Sequence, residues 1–475
     1  MGSNPIPSAT LCFEVPCANA SSGASVTILP FIQPPQMAEH AASQRGRYFI
    51  WTIGCQMNKA DSERMGSALE QMGLQRATLP KDADVVVLNS CVVRQNAEDK
   101  VVGMLTSLKP WREHKEGATL ALMGCMVGPK YDDLQKRFPY VDVFMQPQKY
   151  DPLIELLGER LGVDVDGCVG PLVPANPQLT TYVPIIHGCD KFCTFCIIPY
   201  RRGREVSRSV EELVLECRML AARGVLEVTL LGQNVDSYGH DLPGAPDLAD
   251  LLESVHDQVP EIERIRFLTS HPNDMSDRII DAVARLPRVM EHINLPFQAG
   301  DDDVLTNMRR GYTNAEYRDL IGRIRSSIPH VSLATDLIVG FPGETDAQFE
   351  RSLEMVRDIR FDKVHVAAYS GRPGTIADRK MEDNVPLEEK TRRLKAIEAL
   401  QEQVATERNA GYLGQDVEVL IDGHRKGKWQ GRTRTDKLVF IEDENDLLGH
   451  MVNAHITRTS PWSLQGTLEP IPASQ

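Results

Sequence analysis

The stretch Tyr182-Val183-Pro184-Ile185-Ile186-His187-Gly188-Cys189-Asp190-Lys191-Phe192-Cys193-Thr194-Phe195-Cys196 runs from a strand-like apolar segment into three cysteines spaced as CxxxCxxC. Spacings of four and three also fit one helix face, which would make the thiols ordinary buried side chains. The apolar run before them, with Gly188 and Pro199 as punctuation, reads instead as a strand followed by a loop. Three thiolates this close can hold three corners of a 4Fe-4S cubane and leave the fourth iron uncovered, because soft sulfur ligands select iron-sulfur centres. A structural zinc ion is the rival; it would want a fourth ligand, and His187 or Cys217 is available.

Outward from this loop, strand-like runs recur near 182–186, 225–231, 264–268, 291–295, 333–339 and 363–369, with helical stretches between them. Six strand-helix units are two short of an eight-fold barrel, so the pattern predicts a partial (β/α)6 barrel. Polar side chains gather where such a barrel places its active site, at or just after strand ends: Gln233, Asn234, Ser270, His271, Gln298, Asp336 and Tyr369. Each of these taken singly reads equally well as a turn or cap residue. The glycines at 340 and 343 lack the Lys and Ser or Thr of a phosphate loop and are read as a tight turn. Asp301-Asp302-Asp303 is read as a helix cap, and Cys217 as core.

Ahead of the barrel, three apolar runs each end in a cysteine: Tyr48 to Cys55, Val85 to Cys91 and Thr119 to Cys125. Helices are predicted between them, over 61–72 and over 96–109, the second stopped at Pro110. Strands alternating with helices imply a parallel α/β domain, and ligands of such sheets lie at the carboxyl ends of the strands. Cys55, Cys91 and Cys125 therefore converge on one edge as a second three-thiol site, for which 4Fe-4S is again the leading reading. Three unrelated buried cysteines are the alternative.

Composition sets the frame. The chain has 475 residues, 42% hydrophobic and 25% charged, with a net charge of -14. That is long enough for several domains, and no apolar run reaches the roughly 18 residues of a membrane span. Ten cysteines in so long a chain are no disulfide framework, which points to a reducing, cytoplasmic setting. Residues 1–44, rich in Pro, Ser and Ala, are expected to be a disordered extension in which Cys12 and Cys17 are incidental. Residues 45–162 are expected to be the first domain, 163–180 a Gly- and Pro-rich linker holding Cys168, 181–408 the barrel, and 409–472 a last domain. A helix from Pro386 to Gly411, with an apolar stripe of Leu387, Leu394, Ile397, Leu400 and Val404, leads into the last domain. Beyond it, short strands over 416–421, 431–434, 438–441 and 454–458 imply a small all-β barrel. Arg425, Lys426, Lys428, Arg432, Arg434 and Lys437 stand there against the single acid Asp436, and Trp429 lies among them. On an acidic protein such a stripe suits a nucleic-acid backbone, with the indole free to stack on a base; a solvated hairpin is the plainer reading.

The cysteine loop and its sequel Ile197-Ile198-Pro199-Tyr200-Arg201-Arg202-Gly203 resemble the radical S-adenosylmethionine superfamily. Thr52-Ile53-Gly54-Cys55-Gln56-Met57-Asn58-Lys59-Ala60-Asp61-Ser62-Glu63 resembles the opening motif of the methylthiotransferase family in its MiaB-type, tRNA-acting form. So do Asn89-Ser90-Cys91, Gly124-Cys125-Met126, Leu231 to Val235, Ser270-His271-Pro272, Asp336 with Gly340 to Glu344, and Arg372 to Thr375, from about residue 46 to 468. The final domain resembles the TRAM domain, an RNA-binding module. The resemblance implies that Cys189, Cys193 and Cys196 hold the cluster that cleaves S-adenosylmethionine, and that Cys55, Cys91 and Cys125 hold an auxiliary 4Fe-4S cluster bearing the sulfur to be transferred. It further implies methylthiolation of C2 of N6-isopentenyladenosine beside the anticodon, two S-adenosylmethionine per turnover, and a monomer served by a donor such as flavodoxin or ferredoxin and by a sulfur carrier. Sister activities on threonylcarbamoyl-adenosine in tRNA or a ribosomal-protein aspartate, and a zinc-containing RNA-binding protein, are the alternatives. Asp190 in place of a usual Asn, the run Pro296 to Gly300, and Gly371 in place of a usual Pro depart from the family pattern.

Overall fold

Val85–Ser90 (β3) and Thr119–Gly124 (β4) are buried along their whole length, as strands covered on both faces must be. The computed structural model describes residues 45–92, 95–163, 172–174 and 176–468; the readings for the extension, for Cys168 and for much of the linker fall outside these. With Arg47–Thr52 (β1), Gln75–Arg76 (β2) and Val143–Met145 (β5), the two buried strands form a parallel sheet in the order β2-β1-β3-β4-β5. One apolar layer holds Leu88, Leu105, Leu122 and Phe144, and the other Met65, Leu69, Val87, Met123 and Leu157. Each fully buried Leu or Met contributes roughly 1.5–3 kcal/mol.

The partial barrel is built from Thr180–Pro184 (β6), Glu227–Leu231 (β9), Arg264–Leu268 (β10), His292–Asn294 (β11), Ser332–Val339 (β12) and Lys363–Ala368 (β13). These run parallel as β6-β9-β10 and β11-β12-β13, joined by a bridge between Ile265 and Val289. All six predicted strands are present. A ribbon of Ile186–His187 (β7) and Val206–Ser207 (β8) closes the base of the cysteine loop. The last domain is a closed barrel of Asp416–Arg425 (β14), Lys428–Thr433 (β15), Leu438–Ile441 (β16), Met451–Thr459 (β17) and Leu464–Leu468 (β18); the fifth strand is not visible in the sequence pattern.

Three local expectations change. The first helix spans Gln56–Gln71, because Asp61 is not its opening acid but a buried side chain in its second turn. The second spans Gln95–His114 and runs through Pro110. Beyond the proline, Arg112 grips Asp142 at 2.7 and 2.6 Å and Trp111 packs on the core, which holds the last turn in place. The helix Leu387–Ala410 docks largely through polar groups: Leu387 is exposed, while Lys390 and Arg393 are buried and paired with Asp383 at 2.6 Å and Glu344 at 2.8 Å. Asp301 caps Asp302–Met308 as expected, accepting from the Val304 amide, and Cys217 is core.

The small barrel caps the N-terminal ends of the large barrel's strands. Arg264 and Arg266, at the start of β10, donate to the carbonyls of Arg432, Thr433 and Arg434 at 2.6 to 2.9 Å. Arg434 pairs with Glu291 and Lys437 with Asp362.

Candidate functional site

Each cysteine of the first triad stands at a strand's carboxyl end. Cys55 precedes the helix Gln56–Gln71, Cys91 follows β3 and Cys125 follows β4. Gly54 and Gly124 make the turns: their φ angles are 131° and 95°, and a Cβ on Gly124 would lie 2.4 Å from Asn89 Oδ1 and 2.5 Å from the Ser90 carbonyl. Asn58 ties the first two loops together, and Ser90 ties the third to them. Asn58 Nδ2 donates to the Ile53 and Ser90 carbonyls at 3.0 and 2.8 Å, and its Oδ1 lies 3.6 Å from Cys55 Sγ. Asn89 donates to the Asn58 carbonyl at 2.7 Å, and Ser90 Oγ accepts from the Met126 amide. Burial pushes the Cys125 thiol up to about 11, and Cys55 and Cys91 lie near enough to raise it further.

The second triad sits on the loop between β7 and β8. Cys189 N donates to the Gly203 carbonyl, Cys196 N to the Cys193 carbonyl, and Thr194 is pinned to Asn307 and Met308. Burial pushes Cys189 and Cys196 up to about 12, and Cys193 adds to both. Asp190 accepts from Glu205 N and pairs with Arg204 at 2.6 Å, so its carboxylate serves the loop itself.

A single metal ion would draw three thiolates to about 3.8 Å of one another, from 2.3 Å bonds at tetrahedral angles. Among the described residues, the one set of three His, Cys, Asp or Glu ligand atoms within 4.8 Å of each other is Asp190, Glu205 and His240. Neither triad is drawn that close. The all-sulfur donor sets suit a multi-iron cubane better than one zinc ion.

Each triad faces a buried guanidinium. Arg310 Nη1 donates to Cys193 Sγ at 3.3 Å, its Nε to Tyr312 Oη at 3.1 Å and its Nη2 to the Pro296 carbonyl at 3.1 Å. Arg202 pairs with Asp61 at 2.9 Å beside Cys125 and Cys55. Arg372 adds a third cation within electrostatic reach of Cys91. Arg202 belongs to the run that follows the cysteine loop, yet nothing in that run marks it as turned toward the other triad. Arg310 and Tyr312 carry no signal in the sequence, because Arg309-Arg310 reads as a solvated charge pair.

Of the predicted polar residues, Gln233, Asn234, Ser270 and His271 gather at the barrel mouth beside the cysteine loop. Asn234 Nδ2 donates to Asp274 at 2.6 Å, and Asp274 pairs with Lys191 of the loop at 2.7 Å. Ser270 Oγ and His271 N both donate to Asp236 at 2.9 Å; burial raises that carboxyl to about 7. Burial, with Arg310 and Lys191, lowers His271 to about 2, so its imidazole is neutral. Gln233 Oε1, Asn234 Oδ1 and His271 Nε2 are buried with no hydrogen-bond partner, which leaves three polar atoms for a ligand to satisfy. Thr269 and Gln298 take φ of 75° and 64°, strained conformations gathered at strand ends of this mouth. Asp336 lies in β12 with Asn294 Nδ2 at 3.4 Å. Tyr369 follows β13 and is buried, edge-on to Phe341 and with the Lys390 ammonium over its ring.

The basic stripe is largely ion-paired. Lys437 is buried against Asp362 at 2.7 Å, while the half-buried Arg434 pairs with Glu291 at 2.6 Å, Arg432 with Asp436 at 3.1 Å and Lys428 with Glu442 at 2.6 Å. Trp429 packs into the small barrel, and its Nε1 donates to the Asp443 carbonyl. Only Arg425 and Lys426 of the seven residues are exposed. Two of these cations, Arg434 and Lys437, meet acids at the foot of the large barrel, which spacing along the sequence does not reveal.

Residues 183–356 match the Radical SAM superfamily, 47–146 the Uncharacterized protein family UPF0004 and 411–468 the TRAM domain. The chain is 52% identical over 430 residues to the tRNA-2-methylthio-N(6)-dimethylallyladenosine synthase of Herpetosiphon aurantiacus, covering 90% of this chain and 98% of that one. It is 51% identical over 432 residues to the protein of the same name from a Roseiflexus species, covering 90% of each. Among solved structures it resembles the radical S-adenosylmethionine methyltransferase TsrM of Kitasatospora setae, with a TM-score of 0.52, 14% identity, and 70% and 77% of the two chains covered; that likeness is one of fold. Barrel and cysteine loop together define a radical S-adenosylmethionine enzyme, a class that works with a 4Fe-4S cluster and S-adenosylmethionine. Within that class, the chain belongs to the tRNA-2-methylthio-N(6)-dimethylallyladenosine synthase family of tRNA methylthiotransferases.

Proposed function

We propose that this chain inserts sulfur and a methyl group at C2 of N6-isopentenyladenosine (dimethylallyladenosine) beside the tRNA anticodon, using two 4Fe-4S clusters and two S-adenosylmethionine molecules per turnover. One observation supports the reading: Cys55, Cys91 and Cys125, far apart in sequence, gather at one sheet edge, and the helix Ile198–Arg202 links them to the loop of Cys189, Cys193 and Cys196. When bound, a cluster with an open iron together with S-adenosylmethionine supplies one-electron chemistry able to activate an aromatic C-H bond, which acid-base side chains cannot do.

Cys189, Cys193 and Cys196 hold the first cluster and Cys55, Cys91 and Cys125 the second. Arg310 balances the charge of the first site, in a pocket that excludes water. Gln233 Oε1, Asn234 Oδ1 and His271 Nε2 orient S-adenosylmethionine or the base, and Asp236 fixes His271 through its backbone amide. Asp336 and Gln298 line the same mouth. Arg425 and Lys426 touch the tRNA backbone.

No helix among the described residues is long and apolar enough to cross a membrane. Action on tRNA suits the cytoplasm, where an electron donor of the flavodoxin or ferredoxin kind and a sulfur carrier would serve the chain as a monomer. The test is iron content after anaerobic reconstitution together with nucleoside mass spectrometry of tRNA from a strain lacking the gene. About eight irons per chain and loss of 2-methylthio-N6-isopentenyladenosine are expected. Zinc in place of iron, or unchanged modified nucleoside, overturns the reading.

A further inference from the structure

We infer that Arg202 is a positioning residue of the auxiliary centre: carried by the segment that follows the radical cysteine loop, it reaches across to the other triad and sets that centre's reduction potential. The inference rests on the proposed auxiliary cluster at Cys55, Cys91 and Cys125.

Arg202 ends the short helix Ile198–Arg202, six residues after Cys196. Ile197 and Tyr200, at its start and middle, pack into the core of the N-terminal sheet, so this segment belongs physically to both domains. The Arg202 side chain is 1% exposed and Asp61 is 0% exposed. A guanidinium in such a place is tolerated only where its charge and its N-H groups are matched. Its Nη2 donates to Asp61 Oδ2 at 2.9 Å and to Asn58 Oδ1 at 3.0 Å, both on the first two turns of the helix that follows Cys55. Its Nη1 has no oxygen or nitrogen partner, and the guanidinium is within hydrogen-bonding reach of the Cys125 thiol. The guanidinium lies beside Cys125 and Cys55, whose sulfurs help to hold its charge.

Two fixed bonds on Nη2, with the Cys125 thiol within reach of the guanidinium, describe a cation held in place against the sulfurs of the auxiliary triad. Buried donors are satisfied in finished proteins, and the neighbours of Nη1 are the sulfurs of the auxiliary triad. A cluster held by three thiolates is anionic, and hydrogen bonds to its sulfurs and nearby charge set its potential. A fixed guanidinium favours the reduced, more negative state. Asp61, on the far side of Arg202, partly offsets that effect, so the two residues form a graded pair rather than a simple pin.

The test uses the full chain with Cys189, Cys193 and Cys196 replaced by Ala, so that only the auxiliary centre can load, reconstituted anaerobically and titrated by electron paramagnetic resonance. About four irons per chain are expected; a parent that loads none sinks the auxiliary-cluster reading itself and leaves nothing for Arg202 to tune. Given loading, R202Q should lower the reduction equilibrium constant about tenfold, which is 59 mV for one electron. D61N should raise it, because it removes the opposing charge and keeps an acceptor for Nη2. R202K should restore most of the loss. If R202Q fails to load while R202K and D61N do, the potentials of those two decide: the inference stands if D61N lies above the parent and R202K near it, and falls otherwise. If R202Q and D61N shift the potential in the same direction, if neither moves it, or if all three variants lose iron equally, Arg202 is only a structural pin and the inference falls.

Discussion

Arg310 offers the sharpest test of the radical centre, because the charge that should help the loaded protein should harm the iron-free one. Its side chain is buried, and among the described residues no carboxylate pairs with it; its partners are Cys193 Sγ, the Pro296 carbonyl and Tyr312 Oη. Arg310→Met keeps much of the volume and removes the charge. In the iron-free chain this deletes an uncompensated buried cation and leaves the Pro296 carbonyl satisfied by Tyr312 Oη at 3.2 Å. Even a buried ion pair can be replaced by apolar groups of similar size at neutral effect or a gain of about 1–4 kcal/mol, and an unpaired cation has less attraction to lose. In the loaded chain it deletes a charge-assisted hydrogen bond to a ligating sulfur, worth about 1.5–3 kcal/mol. That is roughly 10- to 150-fold in cluster retention. The assay takes the chain with Cys55, Cys91 and Cys125 replaced by Ala, follows iron loss to a ferrous chelator, and separately records thermal unfolding without iron. The reasoning fails if R310M melts well below its parent when iron-free and holds iron just as long when loaded.

Asp236→Asn should change how stability depends on pH. The Asp236 carboxyl rises to about 7 in the fold, above its unfolded value near 3.9, so the folded chain binds the extra proton and loses stability as pH climbs between those values. The advantage of the Asn variant over the parent should grow by about 2 kcal/mol between pH 5.5 and pH 8 in urea unfolding, and a constant gap would count against the buried acid. His271, neutral in both chains, cancels from that comparison. Arg425→Glu with Lys426→Glu should weaken tRNA binding and flatten its salt dependence, by about 0.7–0.9 in log-log slope for each phosphate left without its cation. Lys437→Met should leave that slope unchanged and lower the melting temperature instead, since it strips Asp362 of one of its two cations, and filter binding across a salt series separates the two outcomes. Gly124→Ala should cost several kcal/mol locally, because its Cβ would collide with Asn89 and the Ser90 carbonyl at a φ of 95°. Iron per chain should fall from about eight to about four, with the radical centre intact; retention of all eight would mean that the Gly-Cys turn is not what shapes the auxiliary site.

The elements legible in the sequence are those whose signal is local. Six apolar runs at regular spacing predict the barrel strands, and three runs ending in cysteine predict both the parallel sheet and the convergence of their thiols. Asp301 is legible as a cap because capping involves a neighbour three residues away. What stays hidden depends on partners far along the chain. Pro110 sits within a helix because Arg112 meets Asp142 thirty residues later, and Asp61 opens no helix because Arg202 reaches it from 141 residues away. In the stripe from Arg425 to Lys437, the acids that meet Arg434 and Lys437, Glu291 and Asp362, belong to another domain. A run of positive charge predicts that anions will be near, and only the fold says whose they are.

Those placements bear on how the parts divide their work. The small barrel rests on the N-terminal ends of the large barrel's strands, where Arg264, Arg266, Glu291 and Asp362 meet it, while the cysteine loop, His271 and Asn234 stand toward the carboxyl ends. The RNA-binding module and the reacting centre therefore occupy opposite ends of one barrel. The two sulfur triads stand in the reverse relation, sharing a five-residue helix whose last side chain sits among the thiols of one triad and whose first turn follows the cysteines of the other. On the proposed function, a radical formed at one centre and a sulfur held at the other would meet on the same carbon, so their separation could not be left to a flexible linker. Arg202, fixed to Asp61 and Asn58 within the same buried cluster, is the kind of joint that holds such a spacing constant, whereas the grip on the rest of the tRNA needs only reach and charge.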